Sequence, residues 1–178
     1  MNLADESTSD QVELGARAVA GGVHFAAWST RARTLQVRLF DADARPRRDV
    51  PLAPRGDGLF AGTVGDEGVG ALYEFVLDGA AYPDPYAREL PFGVHGPARV
   101  TARVKAPRAL AGAARLAHLG TYERHGCTFT AEGTFDAAIA SLDHVAALGA
   151  GAIELMPLSA FPGRRGWGYD SVGQLAPY

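Results

Sequence analysis

A single cysteine, Cys127, in 178 residues leaves no internal disulfide possible and excludes a zinc site built from several cysteines. That scarcity suits a reducing compartment such as the cytoplasm. No apolar run approaches the ~18 residues of a membrane helix, so no membrane partner is expected. The opening MNLADESTSD has neither the basic nor the apolar segment of a secretory signal, and residues 1–14 are expected to be disordered. Positive charge is not in excess: 17 Lys and Arg stand against 20 Asp and Glu. A net charge of −3 gives no footprint for nucleic acid. The local basic cluster Arg45, Arg47 and Arg48, beside Pro46, reads as a solvated turn. His95 has no second metal ligand near it in sequence, so no metal site is expected there.

Apolar residues at 47% are enough for a core. From residue 15 to 104 the chain reads as short strands separated by turns. Ala18–Ala20 and Val23–Trp28 flank Gly21-Gly22, a hairpin signal. In Thr34–Phe40, Leu35, Val37 and Leu39 face one way and Gln36 and Arg38 the other. Val50–Ala53 is a short predicted strand, Pro54–Gly58 a turn, and Leu59–Val64 and Leu72–Leu77 further strands, the last closed by Asp78-Gly79. Spacings of about 8–12 residues with Gly, Pro and Asp between them argue a β-sandwich. Trp28 and Tyr73 are either core residues, the preferred reading, or platforms for a sugar ring. Residues 80–100 carry Pro83, Pro85, Pro91 and Pro97, which keep the chain extended and deny it regular hydrogen bonding. With Tyr82, Tyr86 and Phe92 they read as an ordered strap whose aromatics pack. Residues 105–120 read as a linker, with a weak helix at 109–119.

A βαβ pattern begins at residue 121. Tyr122–Phe129 is a predicted strand, interrupted by Gly126. Thr134 is the predicted N-cap of a helix bearing Phe135, Ala138, Ile139, Leu142 and Val145 at helical spacing and ending at Gly149. Ala152–Met156 is the next strand, stopped by Pro157, and short connections imply a parallel pair. Cys127 is expected to be a small buried thiol, since nothing supplies the third residue or oxyanion hole a cysteine nucleophile needs. Glu154 is expected either to pair with Arg124 or His125 or to point outward. The run from Phe161 to Asp170, FPGRRGWGYD, is rich in glycine. Trp167 and Tyr169 offer flat faces to a sugar ring, and Arg164, Arg165 and Asp170 can hydrogen-bond hydroxyls. Composition alone leaves a ligand site and a packed loop equally open.

The segments GVHGPARV, YPDPYAR, FTAEGTF and ELMPLSAFPGRRGWGYD resemble those of malto-oligosyltrehalose trehalohydrolases, glycoside hydrolases of the α-amylase superfamily. The resemblance runs from about Gly15 to the end. Branching enzymes share only an ELxP strand followed by a WGY loop. The resemblance implies an early-set, immunoglobulin-like β-sandwich over residues 15–104, related to glycan-binding modules. The first βαβ unit of a truncated (β/α)8 barrel would follow at residues 121–178. It implies a cytoplasmic enzyme of trehalose biosynthesis that hydrolyses the α-1,4 bond next to a terminal trehalose with two carboxylates, and no cofactor. Tyr169 matches a tyrosine lining the sugar subsite, with Asp170 and Trp167 its neighbours. The family's catalytic carboxylates come from later strands, so no residue here is assigned catalysis. The 58 residues from Thr121 onward compare with roughly 200 for a barrel. The family's first strand reads YELHVGTFT, whereas here it is YERHGCTFT, with Arg124 at an apolar position. The expectation is an N-terminal part that is inactive alone and has a weakly stable 121–178 segment. Its partners would be α-glucan or maltooligosyltrehalose, with the rest of the barrel on another chain a further possibility. Alternatives are a non-catalytic α-glucan-binding module or part of a glycogen branching or debranching enzyme.

Overall fold

Alternation in LQVRLF becomes strand pairing in the computed structural model, which describes residues 13–104 and 120–177. The expectations for residues 1–12 and for the 105–119 linker and helix lie outside the described residues. The chain divides into two compact units, residues 1–103 and 104–178.

In the first unit, β1 (Gly15–Val19) and β2 (Gly22–Trp28) form a hairpin, followed by β3 (Leu35–Phe40) and β4 (Pro46–Pro51). Then come β5 (Ala53–Gly56), β6 (Leu59–Val64), β7 (Leu72–Leu77), β8 (Ala80–Tyr82) and β9 (Ala98–Arg99). Two antiparallel sheets result, β1-β2-β6-β5 and β4-β3-β7-β8, with β9 also on β7. The inward residues Leu35, Val37 and Leu39 join Val23, Phe25, Tyr73 and Phe75 in one buried cluster drawn from both sheets. Burying such side chains is worth about 1.5–3 kcal/mol each. Phe25 meets the Tyr73 ring edge-on at 5.2 Å across the sheets. The β1–β2 turn needs Gly22: its φ is +148°, and a Cβ would lie 2.2 Å from the Val64 carbonyl oxygen.

Three strand expectations change. Arg47 and Arg48 lie on edge strand β4 rather than in a turn, where both pair with Glu67 and Arg48 also with Asp66. Pro46 and Pro51 are tolerated because β4 is a sheet edge. Val50–Ala53 is not one strand: Pro51 ends β4, and Pro54 lies in β5, also an edge, so the turn shrinks to Asp57-Gly58. The proline-rich strap is not free of regular pairing, because its two ends, β8 and β9, hydrogen-bond to β7. Its aromatics Tyr82, Tyr86 and Phe92 are about half exposed rather than packed.

In the second unit β10 (Thr121–Arg124) pairs in parallel with β11 (Ala152–Leu155). Between them run α1 (Phe135–Ala140) and α2 (Leu142–Ala147), and β12 (Ser159–Ala160) pairs antiparallel with β13 (Gly173–Pro177). Thr134 caps α1 by accepting from the Ala137 amide at 3.2 Å. The expected single helix breaks at Ser141, whose hydroxyl donates back to the Ala137 carbonyl at 3.2 Å. Such i−4 back-bonding bends helices. β10 stops at Arg124 instead of running to Phe129, because Gly126–Thr128 coils into a 3-10 turn.

Candidate functional site

The end of β10, the 3-10 turn after it and the loop following β12 enclose a cleft of about 850 Å3. Its walls include His125, Cys127, Met156, Arg164, Arg165 and Trp167. The loop is shaped by its glycines. Gly168 has φ +86°, and a Cβ there would lie 2.0 Å from the Pro157 carbonyl oxygen. A Cβ on Gly166 would strike the Phe161 ring at 2.8 Å. This close approach lets His125 donate through Nε2 to the Gly166 carbonyl at 2.9 Å, with Nδ1 facing the Thr128 hydroxyl at 3.2 Å. The imidazole thus ties the loop to the turn.

Of the expected sugar-facing residues, Trp167 reaches this cleft and is 73% exposed. Tyr169 and Asp170 are exposed on the same loop but do not line the cleft. Arg164 and Arg165 do line it, adding N–H donors to the wall that carries Trp167. Cys127 is exposed rather than buried, since the 3-10 turn carries it out of the strand. Both nitrogens of His125 are engaged elsewhere, so this histidine is not held as a general base for the thiol. Glu154 points outward, opposite Glu123 in the parallel register. Among the described residues no group of His, Cys, Asp and Glu could hold a metal ion.

The sandwich has a second aromatic surface. Trp28 is 59% exposed, not core as preferred, because it is the last residue of β2. Its indole N–H donates to the Asp57 carbonyl at 2.8 Å, which fixes the ring beside the β5–β6 turn. A hollow of about 370 Å3 lies along that turn, lined in part by Thr30, Pro54 and Asp57. Tyr73, the other candidate platform, is 1% exposed and belongs to the core.

Two buried polar groups escaped sequence reasoning. Asp84 accepts from the Tyr73 hydroxyl at 2.6 Å and from the Tyr86 amide at 2.8 Å. Burial pushes its carboxyl above the ordinary value despite these two bonds. The signal was its place between Pro83 and Pro85, since a carboxylate in so stiff a strap has few places to turn. Arg124 is buried too, its guanidinium carbon 3.9 Å from the centre of the Phe129 ring.

Comparisons with known proteins agree with this architecture. The carbohydrate-binding module 48 family (isoamylase N-terminal domain) matches residues 13–88, the sandwich. A malto-oligosyltrehalose trehalohydrolase of Deinococcus radiodurans is 41% identical over 172 residues, covering 94% of this chain and 28% of that protein. The structure of a Salmonella typhimurium protein assigned as an alpha amylase superposes with a TM-score of 0.79 at 39% identity, covering 93% of this chain and 28% of the other. A pullulanase from Anoxybacillus sp. LM18-11 complexed with maltotetraose gives a TM-score of 0.79 at 21% identity, covering 95% of this chain and 30% of that one, and shows the fold alone. The sandwich is a carbohydrate-binding-module 48 region, N-terminal in an α-amylase-family glycoside hydrolase. Over the residues it shares with them, the chain is similar to malto-oligosyltrehalose trehalohydrolases. It spans under a third of the length of these relatives.

Proposed function

We propose that these residues are the α-glucan-contacting N-terminal part of an enzyme that hydrolyses the α-1,4 bond next to a terminal trehalose, serving trehalose biosynthesis in the cytoplasm. Residues 121–177 form the opening of its (β/α)8 barrel, and the parallel β10–β11 pair with its intervening helices supports that reading. The observation that carries it is Trp167, held exposed beside two arginines by a glycine-shaped loop in a chain 41% identical to a trehalohydrolase. The indole offers a flat face to a glucose ring, while Arg164 and Arg165 donate to its hydroxyls. Tyr169 and Asp170 extend the wall beyond the cleft. The two carboxylates that glycoside hydrolysis requires are supplied by the part of the enzyme beyond the shared region, so these residues bind glucan without cleaving it.

Titration calorimetry with maltoheptaose tests the binding. Saturable heat at millimolar sugar is expected, weakened about tenfold in Trp167→Ala, about 1.4 kcal/mol. Absence of heat with the wild-type chain ends the proposal, and trehalose released from maltooligosyltrehalose by this chain alone overturns its non-catalytic half.

The exposure of Trp28 within the module 48 match favours a second reading, a glucan platform on the sandwich. Loss of maltoheptaose binding in Trp28→Ala but not in Trp167→Ala would select it.

A further inference from the structure

Asp57-Gly58 joins β5 to β6 and Asp78-Gly79 joins β7 to β8, each as a two-residue hairpin turn of the kind Asp-Gly favours. In both turns the aspartate is exposed and sits at φ +48°, in the left-handed region. The two turns match in backbone and differ in the carboxylate. Asp78 accepts from the Thr34 amide at 2.9 Å, the Arg33 amide at 3.1 Å and the Thr34 hydroxyl at 3.1 Å. The two amides hold its carboxyl below the ordinary carboxylate range. The Asp57 carboxylate has no hydrogen-bond or ion-pair partner among the described residues. Beside it, the Gly58 amide carries no side chain to shield it and donates to nothing among the described residues. A free aspartyl carboxyl next to an unhindered glycine amide is the arrangement from which a succinimide forms. The same turn holds Trp28. The Asp57 carbonyl accepts from the indole N–H at 2.8 Å, and the Gly58 carbonyl accepts from the Ser29 amide at 2.8 Å. A Cβ on Gly58 would lie 2.8 Å from the Ser29 carbonyl oxygen and 3.3 Å from the indole nitrogen. The turn therefore has no slack for a longer main chain.

We propose that Asp57 is a site of spontaneous covalent modification, isomerising to isoaspartate through a succinimide and thereby releasing Trp28, while Asp78 is protected. The Gly58 nitrogen attacks the Asp57 side-chain carboxyl carbon. A new C–N bond forms as a carboxyl C–O bond breaks, and the amide proton leaves with the hydroxyl as water. Water then cleaves the bond between that nitrogen and the Asp57 main-chain carbonyl carbon. Gly58 is left joined through the former side chain, and the former main-chain carbonyl becomes a free carboxylate. The atoms balance with no oxidant or co-reactant beyond water. The main chain gains one methylene, and the oxygen that held the indole now hangs from it as a side group. At Asp78 the attack would first have to break bonds to two amides and a hydroxyl. The proposal stands whether or not Trp28 receives a sugar.

The test ages the 178-residue chain, labelled with nitrogen-15, for weeks in warm neutral buffer. The tryptic fragment 56–88 holds both aspartates, and electron-transfer fragmentation tells aspartate from isoaspartate at each. Isoaspartate is expected to accumulate at Asp57 at least about tenfold faster than at Asp78, the factor that one charge-assisted hydrogen bond supplies. In step with it, a second Trp28 Nε1–H resonance is expected to grow, while that of Trp167, the other tryptophan, stays single. Asp57→Gly keeps the main-chain carbonyl and suits φ +48°, so its turn is retained without a carboxyl to react. Its Trp28 resonance is expected to stay single throughout. Absence of isoaspartate at Asp57 overturns the proposal, as does equal accumulation at the two aspartates. Isoaspartate at Asp57 with an unmoved Trp28 resonance overturns the release of the indole. A second Trp28 resonance in aged Asp57→Gly does so too, by assigning the change to another cause. Maltoheptaose binding that is indifferent to Trp28→Ala strikes the glucan reading of the sandwich and leaves this site untouched.

Discussion

The Tyr73 hydroxyl donates to Asp84, so one bond joins β7 to the strap. The carboxyl also holds the turn after it through the Tyr86 amide. Tyr73→Phe removes the donor and leaves a buried carboxyl with a single partner. A loss of about 1–3 kcal/mol is expected in urea unfolding. The same pair predicts a pH dependence. Burial raises the carboxyl's folded-state pKa above its unfolded value, and the Tyr73 and Tyr86 bonds only oppose this. A carboxyl shifted upward contributes stability below its unfolded pKa and loses it as pH rises through the raised value. Wild type should therefore lose stability relative to Asp84→Asn as pH rises from the ordinary carboxylate range through that raised value. A difference that grows in the opposite direction would show that the carboxylate is better solvated than the fold implies. Gly168 is the corresponding residue in the loop that walls the cleft. Gly168→Ala must abandon φ +86° and move the Pro157 carbonyl. It should cost more than about 1 kcal/mol and abolish the contribution of Trp167 to maltoheptaose binding.

Elements with a clean period were legible and those set by tertiary partners were not. Leu59–Val64 and Leu72–Leu77 form at the predicted bounds because β-branched and aromatic residues fill both strands between turn residues. β4 and β5 were hidden because PRRDVP and APRG have almost no apolar side chain to bury; they exist as edges that β3 and β6 recruit by backbone bonds. The loop that carries Trp167 was legible from its glycines and aromatics. Its shape was not, since that depends on His125 reaching Gly166 across 41 residues. The exposure of Cys127 and the burial of Arg124 were missed together, because both follow from β10 giving way to a 3-10 turn. The helix break is a local choice that can be reversed. Ser141→Ala removes the back-bond to Ala137 and installs the best helix former, so α1 and α2 should join. A gain of about 0.5 kcal/mol and a rise in helical circular dichroism are expected. An unchanged spectrum would assign the break to the packing of Ala138 and Val145 instead.

At the scale of the whole chain the two units differ in what they bury. Among the described residues, eighteen of the buried apolar side chains belong to the first unit and four to the second, where Val145 is the only one larger than alanine. The sandwich closes large side chains between two sheets. In the second unit, two parallel strands of four residues and two short helices leave Phe135, Ile139, Leu148 and Leu155 in water. Apolar burial must offset roughly 1–2 kcal/mol of backbone entropy per ordered residue, and the second unit has far less of it per residue. Native-state hydrogen exchange should therefore show the strongest protection in β2, β3 and β7, with β10 and β11 opening at a much lower free energy. Low concentrations of urea should release β10 and β11 first, while the Phe25–Tyr73 contact persists. Equal protection of both units in the isolated chain would mean that the second unit's stability does not come from apolar burial.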